Sequence, residues 1–224
     1  MHNEKMKKVG KNNVRKYAYD IAKHWLGKEK TMSHQAKVFT DEEVERVLKF
    51  TENTKHCLRN RTLVLTSFQS GMRAKELASL RYKDVVNSDG TIKSEIRLSA
   101  EQTKGSDSRT VYISTKLQQD LLHYVKGTHF RSVEDKFFQT QKSNSKVGFT
   151  PNTLCQFFHY LYKQAGIEEG ASSHSGRRTL ATKLCERGTN LRLVMEVLGH
   201  KNLSTTQKYL SVNVNMLKQA IELV

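Results

Sequence analysis

The segment HSGRRTLATKL, residues 174–184, carries a histidine and an arginine whose spacing suits the binding of an oxyanion. His174 and Arg177 are three residues apart, so a helix would place both side chains on one face. A guanidinium can bind two oxygens of one anion, and an imidazole can exchange a proton near neutral pH. The pattern is short, and a solvated polar face of a helix is the alternative interpretation.

The segment LGHKNLSTTQKYL, residues 198–210, carries a phenol that could act as a nucleophile. Tyr209 follows His200 by nine residues, and Ser204 or Thr205 could cap the helix that presents it. A phenol has a pKa of about 10. Its attack therefore needs a partner that removes the proton and cations that stabilise the developing charge. The alternative is that Tyr209 is a core residue of an amphipathic helix.

Two further basic side chains stand at positions suited to an anion. In SGMRAKEL, residues 70–77, Arg73 lies at a predicted junction between a loop and a helix, and Glu76 could brace its guanidinium. An ordinary ion pair at the surface is the alternative for this pair. Lys104 lies in the polar link AEQTKGSDS between two predicted strands, near the tip of a hairpin.

These side chains require a scaffold that the sequence predicts to be α+β and mainly α-helical. Thr40 followed by three acidic residues predicts a helix start, because a hydroxyl caps the first turn and acids favour the positive end of the helix dipole. Residues 94–99 and 109–114 predict a small antiparallel β-hairpin. Further helices are predicted over 58–69, 73–80, 115–126, 151–165, 174–187, 190–198, 203–210 and 213–223.

The charge balance favours a polyanionic partner. Among 224 residues, 38 Lys and Arg stand against 22 Asp and Glu, a formal net charge of +16. Nucleic acid is the favoured partner over an acidic membrane face, and a merely basic surface is the alternative. No stretch reaches the ~18–20 apolar residues of a membrane span. The sequence contains neither nucleotide-binding loops nor CxxC or HExxH, so we expect no cofactor and no metal.

Together and in order, the four segments resemble the tyrosine recombinase family, which includes the phage integrases and Xer-type recombinases. That family shows GxRxxEL, a Lys on a β-hairpin, HxxR, and then LGH with a Tyr nine residues after its His. In this chain Arg73 precedes His174 by 101 positions, and Tyr209 follows His200 by nine. The resemblance covers about residues 38–212 and implies a tyrosine recombinase-like catalytic domain.

The resemblance implies that the chain cuts and rejoins DNA without metal or ATP. Tyr209 would be the nucleophile and form a 3′-phosphotyrosyl intermediate. Arg73 and Arg177 would bind the non-bridging oxygens of the scissile phosphate, and Glu76 would have the supporting role beside Arg73 given above.

Three further roles are implied by the same resemblance. Lys104 would protonate the departing 5′ oxygen, although a simple phosphate contact is the alternative for a lysine on a hairpin. His174 would assist proton transfer. His200 would donate a hydrogen bond to the phosphate.

The chain departs from the family pattern beside HxxR. Gly176 stands where the family usually has Leu, and Arg178 stands where it often has a small residue or His. Either adjacent arginine could therefore face the phosphate, and the HxxR spacing favours Arg177. We take Arg178 as a candidate for DNA binding instead.

One predicted helix offers candidates for reading DNA. Asn152, Gln156 and His159 lie along one side of helix 151–165. The side chains that read bases depend on which helices enter the grooves, so the target sequence cannot be predicted.

The expected domain organisation has three parts. Residues 1–37, with ten Lys or Arg and three Asp or Glu, form one short helix and a linker, and this segment is either a basic arm on DNA or a helix that packs on the body. Residues 38–212 form the catalytic domain, and the core-binding domain of most family members is absent or truncated. The apolar stripe of 213–224 forms a helix that docks on a neighbouring subunit or packs on its own body.

The expected function is site-specific recombination: integration, excision, inversion or dimer resolution of DNA, including that of mobile elements. The expected partners are double-stranded DNA and three further copies of the chain, in a homo-tetramer on paired DNA sites. The expected location is the cytoplasm of a bacterium, near the nucleoid, and the gene is expected to be bacterial or phage-encoded. The alternatives are DNA relaxation of the type IB topoisomerase kind and a non-catalytic DNA-binding protein of the same fold.

Overall fold

The computed structural model describes residues 35–103, 107–140, 147–167, 170–200 and 202–207. Within these ranges the chain forms nine helices and one two-stranded sheet, so the mainly helical α+β architecture is confirmed. No helix in this part of the chain is both long and apolar enough to cross a membrane. The elements are α1 (Asp41–Glu52), α2 (Cys57–Ser70), α3 (Ala74–Ser79), α4 (Tyr82–Val85), β1 (Glu95–Leu98), β2 (Arg109–Tyr112), α5 (Thr115–Lys126), α6 (Pro151–Gln164), α7 (Ser175–Glu186), α8 (Leu191–Leu198) and α9 (Leu203–Gln207).

Helix α1 begins where the sequence predicts, and its start is held by a reciprocal cap. The Thr40 hydroxyl accepts a hydrogen bond from the Glu43 backbone N–H at 3.2 Å, and the Glu43 carboxylate accepts one from the Thr40 N–H at 3.1 Å. Two amide donors that the helix itself cannot satisfy are thereby paired. The Val47 side chain is fully buried, so the helix packs one apolar face on the core.

Helix α2 is the central helix of the core. It contacts α1, α5 and α7, and its buried side chains lie on several sides of the helix. A helix that is buried on several sides requires neighbouring elements to cover each of those sides. It ends at Gly71, whose left-handed backbone (φ +63°) turns the chain towards α3, as the sequence predicts.

The two strands form the predicted antiparallel hairpin. Ile96 pairs with Val111 and Leu98 with Arg109, and the buried Ile96 and Leu98 alternate along β1 with exposed neighbours. This alternation turns one face of the hairpin towards the core. The register places Arg109 at the first position of β2, which packs against α8.

Helices α2 and α7 approach each other closely at Gly176. A Cβ added there would lie 2.4 Å from the Ser67 Oγ and 3.0 Å from the Ser67 backbone carbonyl carbon. These distances are shorter than van der Waals contact, so the α2–α7 contact needs a residue without a side chain. The departure of Gly176 from the family's usual Leu therefore has a structural reason in Ser67.

The predicted helices are confirmed over the described ranges, with ends that differ from the prediction by no more than one residue. The predicted helix 73–80 begins after Arg73, because that residue is its extended N-cap. The single-turn helix α4 has no counterpart in the sequence prediction. The predicted helices near the N-terminus and over 213–223, and the residues of 203–210 after Gln207, lie outside the described residues.

Candidate active site

A cleft of about 640 Å³ lies between the hairpin, the residue before α3 and the segment after α8. Two arginines, Arg73 and Arg109, line it together with His200. Tyr112, with its side chain 57% exposed, lies on the same cleft. Segments far apart in the sequence therefore meet at one basic concavity.

Arg73 reaches this cleft from the N-cap of α3 and is held there by Glu76. Its Nη1 donates to the Glu76 Oε1 at 3.0 Å, and its backbone N–H donates to the Oε2 at 2.7 Å. The Arg73 side chain remains 24% exposed, whereas that of Glu76 is fully buried. The expectation that Glu76 braces Arg73 therefore agrees with the geometry, and the pair is not an ordinary surface ion pair.

Arg109 forms a second ion pair with the same carboxylate. Its Nε and Nη2 donate to the Oε1 and Oε2 of Glu76 at 3.0 and 2.8 Å. Burial by itself would raise the pKa of Glu76, but the hydrogen bonds and charges of Arg109 and Arg73 together lower it below its usual range. Glu76 is therefore ionised at neutral pH and shared by two guanidinium groups.

Arg177 lies beneath the cleft, with 3% of its surface exposed. Its Nη1 donates to the Gly71 carbonyl at 2.7 Å, and its Nη2 donates to the Leu198 carbonyl at 2.5 Å. The adjacent Arg178 is half-buried, and its Nε has no hydrogen-bond partner within the described ranges. Of the two arginines, Arg177 is the one held against the loop before α3 and the end of α8.

Two arginines donate hydrogen bonds to backbone carbonyls at the carboxyl end of α8. Arg109 donates from Nη1 to the Val197 carbonyl at 3.2 Å, next to the Leu198 carbonyl that Arg177 holds. The last carbonyls of a helix lack partners within it, and their partial negative charge favours cations. Arg73 and Arg109 thus share the Glu76 carboxylate, and Arg109 and Arg177 bind adjacent carbonyls of α8. These four residues are called here the guanidinium network.

His200 follows the left-handed Gly199 (φ +62°) and lies beside this network. Its Nδ1 lies 2.8 Å from the Thr206 Oγ1, a fully buried hydroxyl of α9. Burial, and then the positive charges of Arg177, Arg73 and Arg109, lower the pKa of His200 to about 4. The imidazole is neutral near pH 7, and each of the three guanidinium groups lies close enough to the imidazole to lower its pKa.

His174 has a different environment from Arg177. It is the N-cap of α7 and its side chain is exposed, with Nδ1 3.5 Å from the Ser173 Oγ. The three-residue spacing therefore leaves His174 at the surface, whereas Arg177, one turn into the helix, is buried. His174 is not among the described residues that line the cleft.

Lys104 and Tyr209 lie outside the described residues. The neighbour of Lys104 is well anchored: the Thr103 Oγ1 donates to the Asp107 carbonyl at 2.7 Å, and the Lys75 Nζ donates to the Thr103 carbonyl at 2.5 Å. Thr103 also lines the cleft. The hairpin segment that leads into Lys104 thus starts at the cleft.

The candidates for reading DNA lie apart from the cleft lining. Asn152, Gln156 and His159 are exposed on α6. Tyr160, which the sequence prediction missed, is 61% exposed beside His159 and presents a large aromatic surface on the same helix.

Three other residues of the site were missed from the sequence: Arg109, Tyr112 and Thr206. For Arg109 the available signal was a basic residue opening a strand that follows a hairpin link. Its partner Glu76 is 33 residues away, and no local pattern points to that pairing. No cluster of three or more His, Cys, Asp or Glu side chains that could hold a metal ion occurs in the part of the chain that the structure describes.

A sequence profile of the phage integrase family matches residues 37–216, which is most of the chain. The chain belongs to the phage integrase family. The resemblance drawn from the four motifs is thereby confirmed.

Relatives in this family carry the name tyrosine recombinase. The chain is 30% identical over 188 residues to the tyrosine recombinase XerA of Pyrococcus furiosus, covering 83% of this chain and 61% of that protein. It is 30% identical over 186 residues to XerD of Oceanobacillus iheyensis, with 81% and 59% covered. The chain thus spans about three fifths of the length of these curated relatives.

Solved structures share the fold. A crystal structure of XerA recombinase superposes with a TM-score of 0.65 at 25% identity, covering 84% of this chain and 64% of that one. The integrase of transposon Tn1549, in complex with a circular intermediate DNA, superposes with a TM-score of 0.65 at 18% identity, covering 87% and 67%. The second likeness is one of fold alone.

Proposed function

We propose that this chain is the catalytic part of a site-specific DNA recombinase, which cuts and rejoins DNA through a 3′-phosphotyrosyl link at Tyr209. The observation that carries the proposal is the guanidinium network, whose three arginines and one buried carboxylate surround the neutral His200 at the edge of the cleft. Such a concentration of fixed positive charge suits an anionic phosphodiester.

The reaction is a transfer that conserves one ester bond. The Tyr209 phenol gives up its proton, for which we propose His174 as the acceptor, and its oxygen attacks the phosphorus as the bond to the 5′ oxygen breaks. That oxygen leaves with a proton, for which we propose Lys104 as the donor. Charge develops on the non-bridging oxygens, and fixed cations stabilise it more in the transition state than in the ground state. Loss of one such donor typically slows a reaction by about a hundred- to a thousand-fold.

The described residues suit distinct parts of this reaction. Arg73, partly exposed on the cleft, would bind a phosphate oxygen directly. Arg177 would act from beneath, since its charge already reaches His200. The neutral His200 would donate a hydrogen bond from its Nε2, and His174, at the surface, would assist proton transfer once DNA covers the cleft.

The wider assembly is part of the proposal. Residues 38–212 would form the catalytic domain, 1–37 a basic arm and 213–224 a helix that docks on a neighbouring copy in a DNA-bound tetramer. The exposed Asn152, Gln156 and His159, with Arg178, would contact double-stranded DNA. The formal charge of +16 would give that contact a strong salt dependence. The site of action would be the cytoplasm, near the nucleoid.

A trapped covalent adduct tests the chemistry. The protein is mixed with a library of duplex oligonucleotides that carry a randomised centre and one nick, so that cleavage next to the nick releases a short strand and cannot be reversed. We expect an adduct that survives denaturing electrophoresis, and sequencing of its DNA would identify the target. The mapped peptide should carry the DNA on Tyr209, and Tyr209→Phe should form none.

Tyr112 supplies the matched control, because it is an exposed tyrosine on the cleft. Tyr112→Phe should still form the adduct, and an adduct mapped to Tyr112 would refute the assignment of the nucleophile. Joining of two labelled duplexes supports recombination, whereas relaxation of supercoiled plasmid without joining would favour the topoisomerase alternative. No adduct with any member of the library would contradict the proposed chemistry.

A further inference from the structure

All three side-chain nitrogens of Arg109 donate hydrogen bonds to other groups of the protein. Nε and Nη2 bind the two oxygens of Glu76, and Nη1 binds the Val197 carbonyl. Its side chain is 10% exposed, less than half the exposed fraction of Arg73. This geometry suits a residue that holds other groups in place better than one that binds a substrate.

The carboxylate that Arg109 holds is the one that orients Arg73. With two guanidinium groups on Glu76, each carboxylate oxygen accepts hydrogen bonds from both arginines or their backbone. If Arg109 were absent, Arg73 would be the one cation, among the residues that the structure describes, left paired with this fully buried carboxylate. The stronger attraction would then hold the Arg73 guanidinium closer to Glu76 and away from a phosphate.

Arg109 also fits against the turn that carries His200. A Cβ at Gly199 would lie 2.6 Å from the Arg109 Cδ, so the arginine occupies space that only a glycine leaves. The hydrogen bond to the Val197 carbonyl fixes the last turn of α8, directly before this glycine. One side chain on β2 thus touches both segments that present Arg73 and His200.

We propose that Arg109 is a positioning residue for DNA cleavage. It holds Glu76 and the end of α8 so that Arg73 and His200 point at the same phosphate, and it links the Lys104 hairpin to both. The inference rests on the proposed function, since the group to be aligned is the scissile phosphate. Arg109 itself makes no contact with that phosphate.

Arg109→Lys tests the geometry while keeping the charge. A lysine ammonium is a single point donor and cannot bridge both Glu76 oxygens and the Val197 carbonyl. A misplacement of about 1 Å in a reacting group can cost about a hundred-fold in rate. We therefore expect the single-turnover cleavage rate, on the nicked duplex selected from the library, to fall about a hundred-fold, and the Kd for that duplex to stay within about two-fold.

Arg97→Lys is the matched control, because Arg97 is an exposed arginine on the paired strand of the same hairpin. It should change neither the rate nor the Kd. The double variant Glu76→Gln/Arg109→Gln removes both charges of this ion pair, so neither residue is left as an unpaired buried charge. Because Arg109 and Glu76 share hydrogen bonds, part of the loss should be common to both, and the double variant should cleave faster than the product of the two single losses predicts.

The outcomes separate this inference from the proposed function. A parental rate in Arg109→Lys, or a loss confined to the Kd, overturns the positioning role alone. Fully multiplying effects in the double variant overturn it too, because Arg109 and Glu76 would then share no part of their effect. If Arg109→Lys does not fold, the double variant is compared with Glu76→Gln alone. Slower cleavage by the double variant at an unchanged Kd then supports the role, and equal rates overturn it. An unaltered protein that forms no adduct overturns the proposed function and, with it, this role.

Discussion

The close approach of α2 and α7 predicts that Gly176→Ala destabilises the protein. The new Cβ would lie 2.4 Å from the Ser67 Oγ and 3.0 Å from the Ser67 backbone carbonyl carbon. The hydroxyl can rotate away, but the backbone carbon can move only if the two helices separate. An extra methyl group in a packed interior typically costs about 1–3 kcal/mol.

A favourable effect of alanine offsets part of this cost. Alanine stabilises a helix interior by up to about 1 kcal/mol relative to glycine. Gly176 lies in the first turn of α7, where the gain is smaller, so we expect the free energy of unfolding to fall by about 1–2 kcal/mol. Because Arg177 follows directly and donates to the Gly71 carbonyl, the DNA cleavage rate should fall as well.

Gly127→Ala is the matched control, because its Cβ would meet a neighbour at the same distance. The nearest atom is the Leu58 Cδ2 at 2.4 Å, and the next atom outside that side chain is the His123 carbonyl oxygen at an ordinary 3.6 Å. The end of a leucine side chain can change rotamer. The Gly127 φ of −91° also suits alanine, so a change below about 0.5 kcal/mol is expected.

The free energy of unfolding of the parent, Gly176→Ala and Gly127→Ala is measured by urea unfolding, monitored by circular dichroism and extrapolated linearly to zero urea. The reasoning predicts a clear loss for Gly176→Ala and little for Gly127→Ala. Equal stability of Gly176→Ala and the parent would refute the argument that this helix contact requires glycine. An equal loss in both variants would refute the distinction between a rigid and a movable neighbour.

Three further predictions follow from buried polar groups. The Tyr162 hydroxyl is fully buried and has no hydrogen-bond partner in the described part of the chain. The free energy of unfolding of Tyr162→Phe should therefore equal that of the parent or exceed it by up to about 1 kcal/mol. A large loss of stability would instead indicate a partner for the hydroxyl. The pKa of His200, about 4 when folded, lies below its value of about 6.5 when unfolded. Between pH 6.5 and pH 4, His200 is therefore protonated in the unfolded chain but neutral in the folded protein, so the free energy of unfolding decreases as the pH falls. Across this window the decrease should be steeper in the parent than in His200→Gln. Thr206→Val removes the hydroxyl beside the His200 Nδ1 and should slow cleavage by about ten-fold, whereas the exposed Thr205→Val should not; equal rates for the two would exclude a role for this hydrogen bond.

Local rules were enough to predict the elements and the order of the motifs. Thr40 with Glu43 specifies the start of α1, and alternation along Glu95–Leu98 specifies β1, because capping and side-chain alternation depend on residues a few positions apart. Helix α5, Thr115–Lys126, matches its predicted ends. The family assignment also came from the sequence, since it required only the order and spacing of four short segments.

The environment of each site residue was decided by the tertiary structure. Nothing in HxxR distinguishes the exposed His174 from the buried Arg177, whose partners Gly71 and Leu198 lie 106 and 21 positions away. The pairing of Arg109 with Glu76 joins positions 33 apart, and the Gly176 contact depends on a helix more than a hundred residues earlier. Sequence patterns report short-range geometry, whereas charge burial and steric fit depend on which distant segments the fold brings within a few ångströms.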